Sequence, residues 1–218
     1  MARPLRVVGR AAIAALSLHF GGAAPAQLRA SPPPEAGFVA EDLARRTAAC
    51  GATLLMVTAH PDDEDNALAA LLRRRHGVRV VLWTMTRGEG GQNEIGDEQG
   101  EALALLRDAE LEAAHRFDGI EQFPYDRDVP PFPDFGYSFS WAETMEKWAP
   151  ARPGLGASRA VLQRVRPEVV LVMDPDWDGG GQHHQASAVL MLEECVLERN
   201  PWRDDGLAAD GAPWHVPR

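Results

Sequence analysis

The chain has 218 residues, 45% of them hydrophobic and 25% charged, so its length and composition suit one globular domain with a sizeable core. Its 32 acidic residues outnumber its 22 basic residues and give a formal net charge of -10. This negative charge argues against a nucleic-acid partner, because nucleic acids bind to basic surfaces.

The start of the chain has the pattern of a secretory signal peptide. Three arginines within the first ten residues precede an apolar run at 11–18, and Ala24-Pro25-Ala26 supplies an Ala-x-Ala cleavage site. The run is too short for a membrane span, and a cytosolic N-terminal helix is the alternative interpretation. We therefore expect an exported protein, periplasmic or extracellular, with a signal peptide at 1–26, a Pro-rich extended segment at 27–36 and one domain at 37–218.

Strands and helices are expected to alternate through this domain. The hydrophobic pattern predicts, in chain order, a helix at 37–49, a strand at 53–58, a helix at 64–76, a strand at 78–84, a long helix at 97–116, a short strand at 120–123, helices at 141–148 and 155–165, a strand at 168–173 and a helix at 185–199. The long helix is expected to bury five side chains: Leu103, Leu106, Ala109, Leu111 and Ala114. Such alternation predicts an α/β fold with a mostly parallel sheet and right-handed crossovers.

Two stretches lack a clear period. Residues 87–96 form a glycine-rich loop, and residues 124–153 are rich in aromatic residues and proline. Loops of the second length are usually functional lids or insertions, and most of its aromatic rings are expected to bury the lid. Residues 213–218 resemble the start of a further strand, which suggests that the domain is truncated at its C-terminus.

The chain contains two cysteines, Cys50 and Cys195. They fall at the entrance to a predicted strand and within the last predicted helix. Nothing in the sequence brings them together, although a disulfide between them stays open. Two buried, unpaired thiols are the prediction.

The string Ala59-His60-Pro61-Asp62-Asp63-Glu64 lies where the first predicted strand passes into a helix. His60 and Asp63 are three residues apart across this turn, so both side chains can converge on one ion. Asp62 lies between them and is free to act as a base. The alternative is that these acids only cap the helix, since carboxylates are common in a first helical turn. For Glu64 a capping or supporting role is the prediction.

A second polar cluster, 174–187, follows the predicted strand at 168–173. In a parallel sheet it emerges at the same edge as the first cluster, where one of its imidazoles would complete a His/Asp/His site with an open fourth position for water. Calcium is the competing interpretation, because Asp174, Asp176 and Asp178 have the spacing of an EF-hand loop. Gln185 stands where that loop requires a bidentate glutamate, so the calcium site is disfavoured.

Together these motifs resemble the PIG-L/LmbE family of zinc-dependent N-deacetylases, which carry an Ala-His-Pro-Asp-Asp-Glu motif. The similarity continues through residues 86–96 and 107–114 and ends with His184-Gln-Ala186, so it covers about residues 50–195. It implies a Rossmann-like three-layer α/β/α fold and a zinc cofactor, or another divalent ion.

The resemblance also implies a role for individual residues. His60, Asp63 and His184 would hold zinc, Asp62 would act as general base on a zinc-activated water, and Arg107 would face the substrate. Three further candidates border the expected pocket: His183, Glu89 and Asn93. The remaining histidines, His76, His115 and His215, are given no role.

One position departs from the family pattern. Relatives usually carry a second histidine three residues before the metal-binding histidine, where it helps to stabilise the oxyanion, and here that position is Gly181. The adjacent His183 is the candidate to replace it. Losing one oxyanion donor typically costs about 10²–10³ in rate.

The resemblance therefore implies an exported N-deacetylase that hydrolyses the N-acetyl amide of an amino sugar, a glycan or their conjugates. Two alternatives remain. The first is a catalytically impaired metal- or sugar-binding relative, to which Gly181 and the abrupt C-terminus point. The second is a metal-dependent amidase with a non-sugar substrate.

Overall fold

The computed structural model describes residues 37–150, 156–176 and 181–198. The predicted signal peptide, the Pro-rich segment at 27–36 and the strand-like residues 213–218 lie outside these ranges. Within them, no helix combines the length and the apolar character that a membrane crossing requires.

Four parallel strands form one sheet in the described part of the chain. They are β1, Thr53–Thr58, β2, Arg79–Thr84, β3, Glu121–Gln122, and β4, Val169–Leu171, in the spatial order β3-β2-β1-β4. The central strands are buried at every position except their first residue, as strands covered on both faces must be. The predicted strands are confirmed, although β3 and β4 are shorter than expected.

The helices occupy the predicted places. They are α1, Gly37–Cys50, α2, Asn66–Ala70 with a π-helical continuation Leu71–Arg75, α3, Glu101–Asp118, α4, Trp141–Trp148, α5, Gly156–Val165, and α6, Gln182–Glu198. α2 begins two residues later than predicted because Asp65, not Glu64, is its N-cap, and its carboxylate accepts a hydrogen bond from the Leu68 N–H at 2.9 Å. α3 begins after Gly100, whose φ of 58° is not helical.

Two apolar cores lie on opposite faces of the sheet. Leu54 and Met56 of β1 pack with α2 and α3 on one face, whereas Leu55 and Val57 pack with α4, α5 and α6 on the other. This alternation follows from the two-residue period of a strand. The expected three-layer α/β/α arrangement is confirmed.

The burial predicted for α3 was partly wrong. Leu103 and Leu111 are buried as expected, but the other three predicted core residues, Leu106, Ala109 and Ala114, are exposed. Ala104 and His115 take their place in the interior. The helix is rotated relative to the prediction because one of its sides forms a wall of the cavity described below rather than a core contact.

The two cysteines are not joined by a disulfide. Cys50 is exposed, and Cys195 is half-buried against the larger core. The prediction of two buried thiols is therefore wrong for Cys50. It ends α1, a helix that buries none of its residues.

Candidate active site

The carboxyl ends of the strands bring four segments together. His60 follows β1, the glycine-rich loop at 87–96 follows β2, Asp134 lies in the long connection after β3, and His184 lies in the first turn of α6 after β4. Open parallel sheets collect their binding sites at this edge. A cavity of about 910 Å³ opens there.

Three side chains, His60, Asp63 and His184, converge on one point beside this cavity, and they are called the metal group below. His60 Nδ1 lies 3.0 Å from His184 Nε2 and 3.2 Å from one Asp63 oxygen, and the other Asp63 oxygen lies 3.2 Å from His184 Nε2. Ligand atoms bound to zinc at 2.0–2.1 Å in a tetrahedron lie about 3.3 Å apart, and His/Asp donor sets are typical of zinc. The three side chains therefore fit a divalent ion such as zinc.

The turn after β1 fixes this geometry. The backbone N–H of His60 donates to Asp63 Oδ2 at 2.7 Å, so the carboxylate folds back over the histidine that precedes it. Burial opposes ionisation of Asp63, but the hydrogen bonds from His184 and His60 outweigh it and hold the pKa of Asp63 well below its usual range. An ionised carboxylate is the form that a cation binds.

Asp62 is not part of this group, and its carboxylate lies against Arg107 instead. Its φ of 136° lies in the region that favours glycine, so its backbone is strained, and its N–H donates to Glu64 Oε2 at 3.2 Å. Partial burial raises the pKa of Asp62, against the opposing charge of Arg107. A raised pKa brings a carboxylate closer to the range that suits a general base.

Arg107 lines the cavity and also holds the strained turn. Its Nη2 donates to Pro61 O at 2.7 Å and lies 2.8 Å from Asp62 Oδ2, and its Nη1 lies 3.4 Å from Gly88 O. Gly88 has a φ of 72°, which favours glycine, and a Cβ there would also displace this guanidinium. The resemblance implied a substrate contact for Arg107, and the structure adds contacts to the candidate base.

Glu89 and Asn93 brace the loops. Glu89 Oε1 accepts the backbone N–H of Asp134 at 2.8 Å, and Glu89 is not part of the cavity wall. Asn93 lines the cavity, but its Oδ1 accepts the N–H groups of Ile95 at 3.0 Å and Gly96 at 3.1 Å. Asn93 thus stays a candidate for substrate contact, whereas Glu89 has the geometry of a support.

His183 does not replace the histidine that is missing at Gly181. Its side chain is 1% exposed, lies outside the cavity wall and packs against the rings of Phe135 and Trp148 at 4.4 and 5.5 Å between centroids. Burial lowers the pKa of His183 to about 4, so the imidazole is neutral near pH 7. Gly181 itself has a φ of 98°, a conformation that a histidine would adopt only with strain.

The sequence analysis missed Asp134. Its side chain is 2% exposed, and its two oxygens lie 3.8 Å from His60 Nε2 and 3.8 Å from His183 Nε2. It belongs to the aromatic segment after β3, where no periodicity marks a functional residue. The available signal was an acid that follows Pro133 and stands two residues before Gly136, a pattern typical of a tight turn.

Other acidic and histidine side chains considered in the sequence have local contacts of their own. Asp174 Oδ1 accepts the Asp176 N–H at 2.9 Å, which is a local turn, and Asp178 lies outside the described residues. His115 is buried at the end of α3, with its Nδ1 3.1 Å from Asp118 Oδ2. Ile95, Leu106 and Glu110 also line the cavity.

Comparison with known proteins gives one family. Residues 55–194 match PIG-L, described as GlcNAc-PI de-N-acetylase. The curated relatives include proteins of Mycobacterium bovis and Mycobacterium tuberculosis, each named 1D-myo-inositol 2-acetamido-2-deoxy-alpha-D-glucopyranoside deacetylase. Each is 31% identical over 177 residues, which are 76% of this chain and 57% of the relative. The chain thus spans little more than half the length of these relatives.

One solved structure shares the fold, and a second is similar to a lesser extent. The 4-carboxy-2-hydroxymuconate hydratase GalB of Pseudomonas putida KT2440 superposes with a TM-score of 0.52 at 22% identity, over 74% of this chain and 63% of that chain. N,N'-diacetylchitobiose deacetylase from Pyrococcus horikoshii gives a TM-score of 0.47 at 23% identity, over 69% of this chain and 51% of that chain. The first of these is a hydratase, so the fold alone does not select the reaction.

Proposed function

Because the chain belongs to the PIG-L family, we propose that it is an exported, metal-dependent N-deacetylase that hydrolyses the N-acetyl amide of an amino sugar or its conjugate. The observation that carries this proposal is the convergence of His60, Asp63 and His184 beside the cavity, with Asp62 next to them. The mycobacterial relatives are named as deacetylases of an acetamido-deoxy-glucopyranoside, which supports an amino-sugar substrate.

His60, Asp63 and His184 would hold the ion, for which zinc suits the donors best. A zinc ion in such a site lowers the pKa of water to about 7 and polarises a carbonyl group. Asp62 would accept the proton of the attacking water and return it to the departing nitrogen, so that water and the amide give acetate and a free amine. Arg107 would keep the Asp62 carboxylate at the cavity.

Gly181 and the packing of His183 favour a second candidate, a relative that binds metal or sugar but hydrolyses slowly. Neither residue brings an imidazole to the cavity wall. A missing oxyanion donor costs about 10²–10³ in rate, which reduces hydrolysis without abolishing it. We therefore expect measurable but slow turnover.

Acetate release from the zinc-loaded chain tests both candidates. The substrates are N-acetylglucosamine, N,N'-diacetylchitobiose and an N-acetylglucosaminyl inositol, with N-acetylated amino acids as the non-sugar amides. Asp62→Asn should lower the rate by about 10²–10⁴ while zinc binding is kept. Asp97→Asn changes an exposed loop acid outside the cavity wall and serves as the control. Full zinc occupancy without acetate from any substrate would favour the binding relative.

Export is proposed from residues 1–26 alone. When the full chain is expressed in a bacterium with a general secretion system, we expect cleavage after Ala26, so that the mature protein begins at Gln27. N-terminal sequencing of the protein recovered from the periplasm and the medium measures this. A chain that stays in the cytosol with its first residues intact would refute export and leave the enzymatic proposal unchanged.

A further inference from the structure

We propose that Asp134 is a positioning residue that orients the His60 imidazole, so that Nδ1 faces the metal. This role rests on the proposed metal site. It is carried by three observations: the direction of the two His60 nitrogens, the fixed position of the Asp134 carboxylate, and a second buried imidazole on the same carboxylate.

The two nitrogens of His60 face different partners. Nδ1 lies 3.0–3.2 Å from His184 Nε2 and Asp63 Oδ2, whereas Nε2 points to Asp134 Oδ2 at 3.8 Å. A neutral imidazole has one lone pair, so when Nδ1 binds a cation its proton must be on Nε2. Ligating histidines usually donate this N–H to a carboxylate, which fixes the tautomer and the ring orientation. Asp134 lies where such an acceptor is needed.

The Asp134 carboxylate is held from several directions. Its Oδ1 accepts the backbone N–H of Gly136 at 2.8 Å, and its own N–H donates to Glu89 Oε1 at 2.8 Å. Gly90 packs so closely that a Cβ there would meet the Gly136 nitrogen and lie 2.6 Å from Asp134 Oδ1. The glycine-rich loop after β2 therefore restrains the segment 134–136, which carries the Asp134 carboxylate.

His183 is the second imidazole on this carboxylate. Its Nε2 is buried without a hydrogen-bond partner and faces Asp134 Oδ1 at 3.8 Å. Both 3.8 Å gaps exceed a direct hydrogen bond, and a bridging water or a side-chain movement of about 1 Å would close them. Asp134 would then accept a hydrogen bond from His60 and another from His183, the residue that precedes His184. It would thereby link the turn after β1 to the start of α6, the two segments that supply the metal group.

A second cation is the alternative occupant of this space. Ligand atoms of His60, Asp134 and His183 lie within 4.8 Å of one another. With cations on both sides, however, His60 would have to give up both ring protons, because a neutral imidazole offers only one lone pair. We therefore favour Asp134 as the acceptor of the His60 N–H.

Metal binding tests this role without any substrate. We would titrate the metal-free protein with zinc against a chelator and measure zinc per chain, in the wild type, Asp134→Asn, Asp134→Ala and the control Asp128→Asn. Asp128 is an exposed acid of the same segment, pairs with Arg164 at 2.7 Å and does not line the cavity. Loss of a carboxylate that orients a ligating histidine should weaken zinc binding about 10–100-fold. The control should bind like the wild type.

The variants separate orientation from folding. Asn keeps the volume of the side chain and an acceptor for the Gly136 N–H, so a folding defect should appear mainly in Ala and in the melting temperature of the metal-free protein. The absorption spectrum of the cobalt-loaded protein reports ligand geometry and should change in both variants. Unchanged zinc affinity and an unchanged cobalt spectrum in both would overturn the role of Asp134. Two zinc ions in the wild type and one in Asp134→Ala would overturn it in favour of a second cation.

The outcomes also distinguish this role from the proposed function. A wild type that binds zinc tightly but releases no acetate contradicts the deacetylase proposal, and the effect of Asp134 on zinc affinity can still be read. A wild type that binds no zinc contradicts both.

Discussion

Replacement of Arg107 by alanine should show whether this residue positions the base or only binds substrate. Arg107 holds the Asp62 carboxylate at 2.8 Å and the adjacent Pro61 carbonyl at 2.7 Å. Without these contacts the strained turn at Asp62, with φ of 136°, loses one of its restraints. We expect the carboxylate to move relative to the reacting water.

The magnitude follows from the individual contacts. A hydrogen bond from a charged group such as that to Pro61 O contributes about 1.5–3 kcal/mol to the free energy of unfolding. The ion pair adds only about 0–1 kcal/mol, because the Asp62 side chain is 70% exposed. We therefore expect Arg107→Ala to lower the free energy of unfolding by about 1.5–4 kcal/mol. A 1 Å displacement of the base costs about 10² in rate, so kcat should fall by that order.

The pH dependence of activity tests the contact between Arg107 and Asp62 independently of the rate. The charge of Arg107 lowers the pKa of Asp62, which partial burial has raised, so its removal should raise this pKa further. A general base works only when deprotonated, so activity should be lost at a higher pH on acidification in Arg107→Ala than in the wild type. Arg107→Lys keeps the charge but cannot make both contacts, to Asp62 and to the Pro61 carbonyl. It should restore the pH profile more than it restores kcat.

Steady-state kinetics of acetate release from pH 5 to 9, with zinc saturating, measures these effects. Arg116→Ala is the control, because Arg116 lies on the same helix, is exposed and pairs with Glu112. If Arg107→Ala raises KM but leaves kcat and the pH profile unchanged, Arg107 only binds substrate, and the reasoning from the turn is wrong.

Three further predictions follow from the same structure. Gly90→Ala should lower the free energy of unfolding in urea by about 1–3 kcal/mol, because its Cβ would collide with the 134–136 backbone. Gly156→Ala should not, because no atom of the described residues lies within 4 Å of the added Cβ. The folded-state pKa of His183, about 4, lies below its ordinary value of 6.5, so the unfolded state binds the proton first and stability falls as pH falls from 6.5 toward 4. Metal-free His183→Gln should therefore lose about 2 kcal/mol less than the wild type between pH 7 and 5, and equal losses would contradict this. Zinc at 100 times its Kd should raise the free energy of unfolding by about 2.7 kcal/mol, and Asp63→Ala should abolish this gain in calorimetry.

The fold could be predicted from the sequence because local signals and tertiary packing agree. β1 is an apolar run of strand length with a polar turn directly after it. The helix α4 is capped by Ser140, whose hydroxyl accepts the Glu143 N–H at 3.1 Å. The burial of α3 was predicted less well. Its hydrophobic pattern cannot reveal that Leu106 faces a cavity rather than a core.

The candidate ligands could also be placed from the sequence. His60 and Asp63 lie in one turn, and parallel strands carry the segment with His184 to the same edge. Their role as metal ligands stays a prediction. The contacts of Arg107 and Asp134 could not be derived, because they depend on how a helix and a long loop dock against that turn. No pattern along the chain encodes such docking.

The site therefore combines the motif after β1 with support from a separate segment, which contains Asp134. The turn after β1 and the start of α6 supply the candidate ligands and base, but the position at which relatives carry an additional histidine is Gly181. The nearest imidazole, His183, turns into the interior beside Asp134 instead of toward the cavity. It can strengthen the metal group but cannot donate a hydrogen bond to an oxyanion in the cavity. Among the residues outside the candidate ligand set, Asp134 should consequently affect metal affinity, whereas Asp62 and Arg107 should affect turnover.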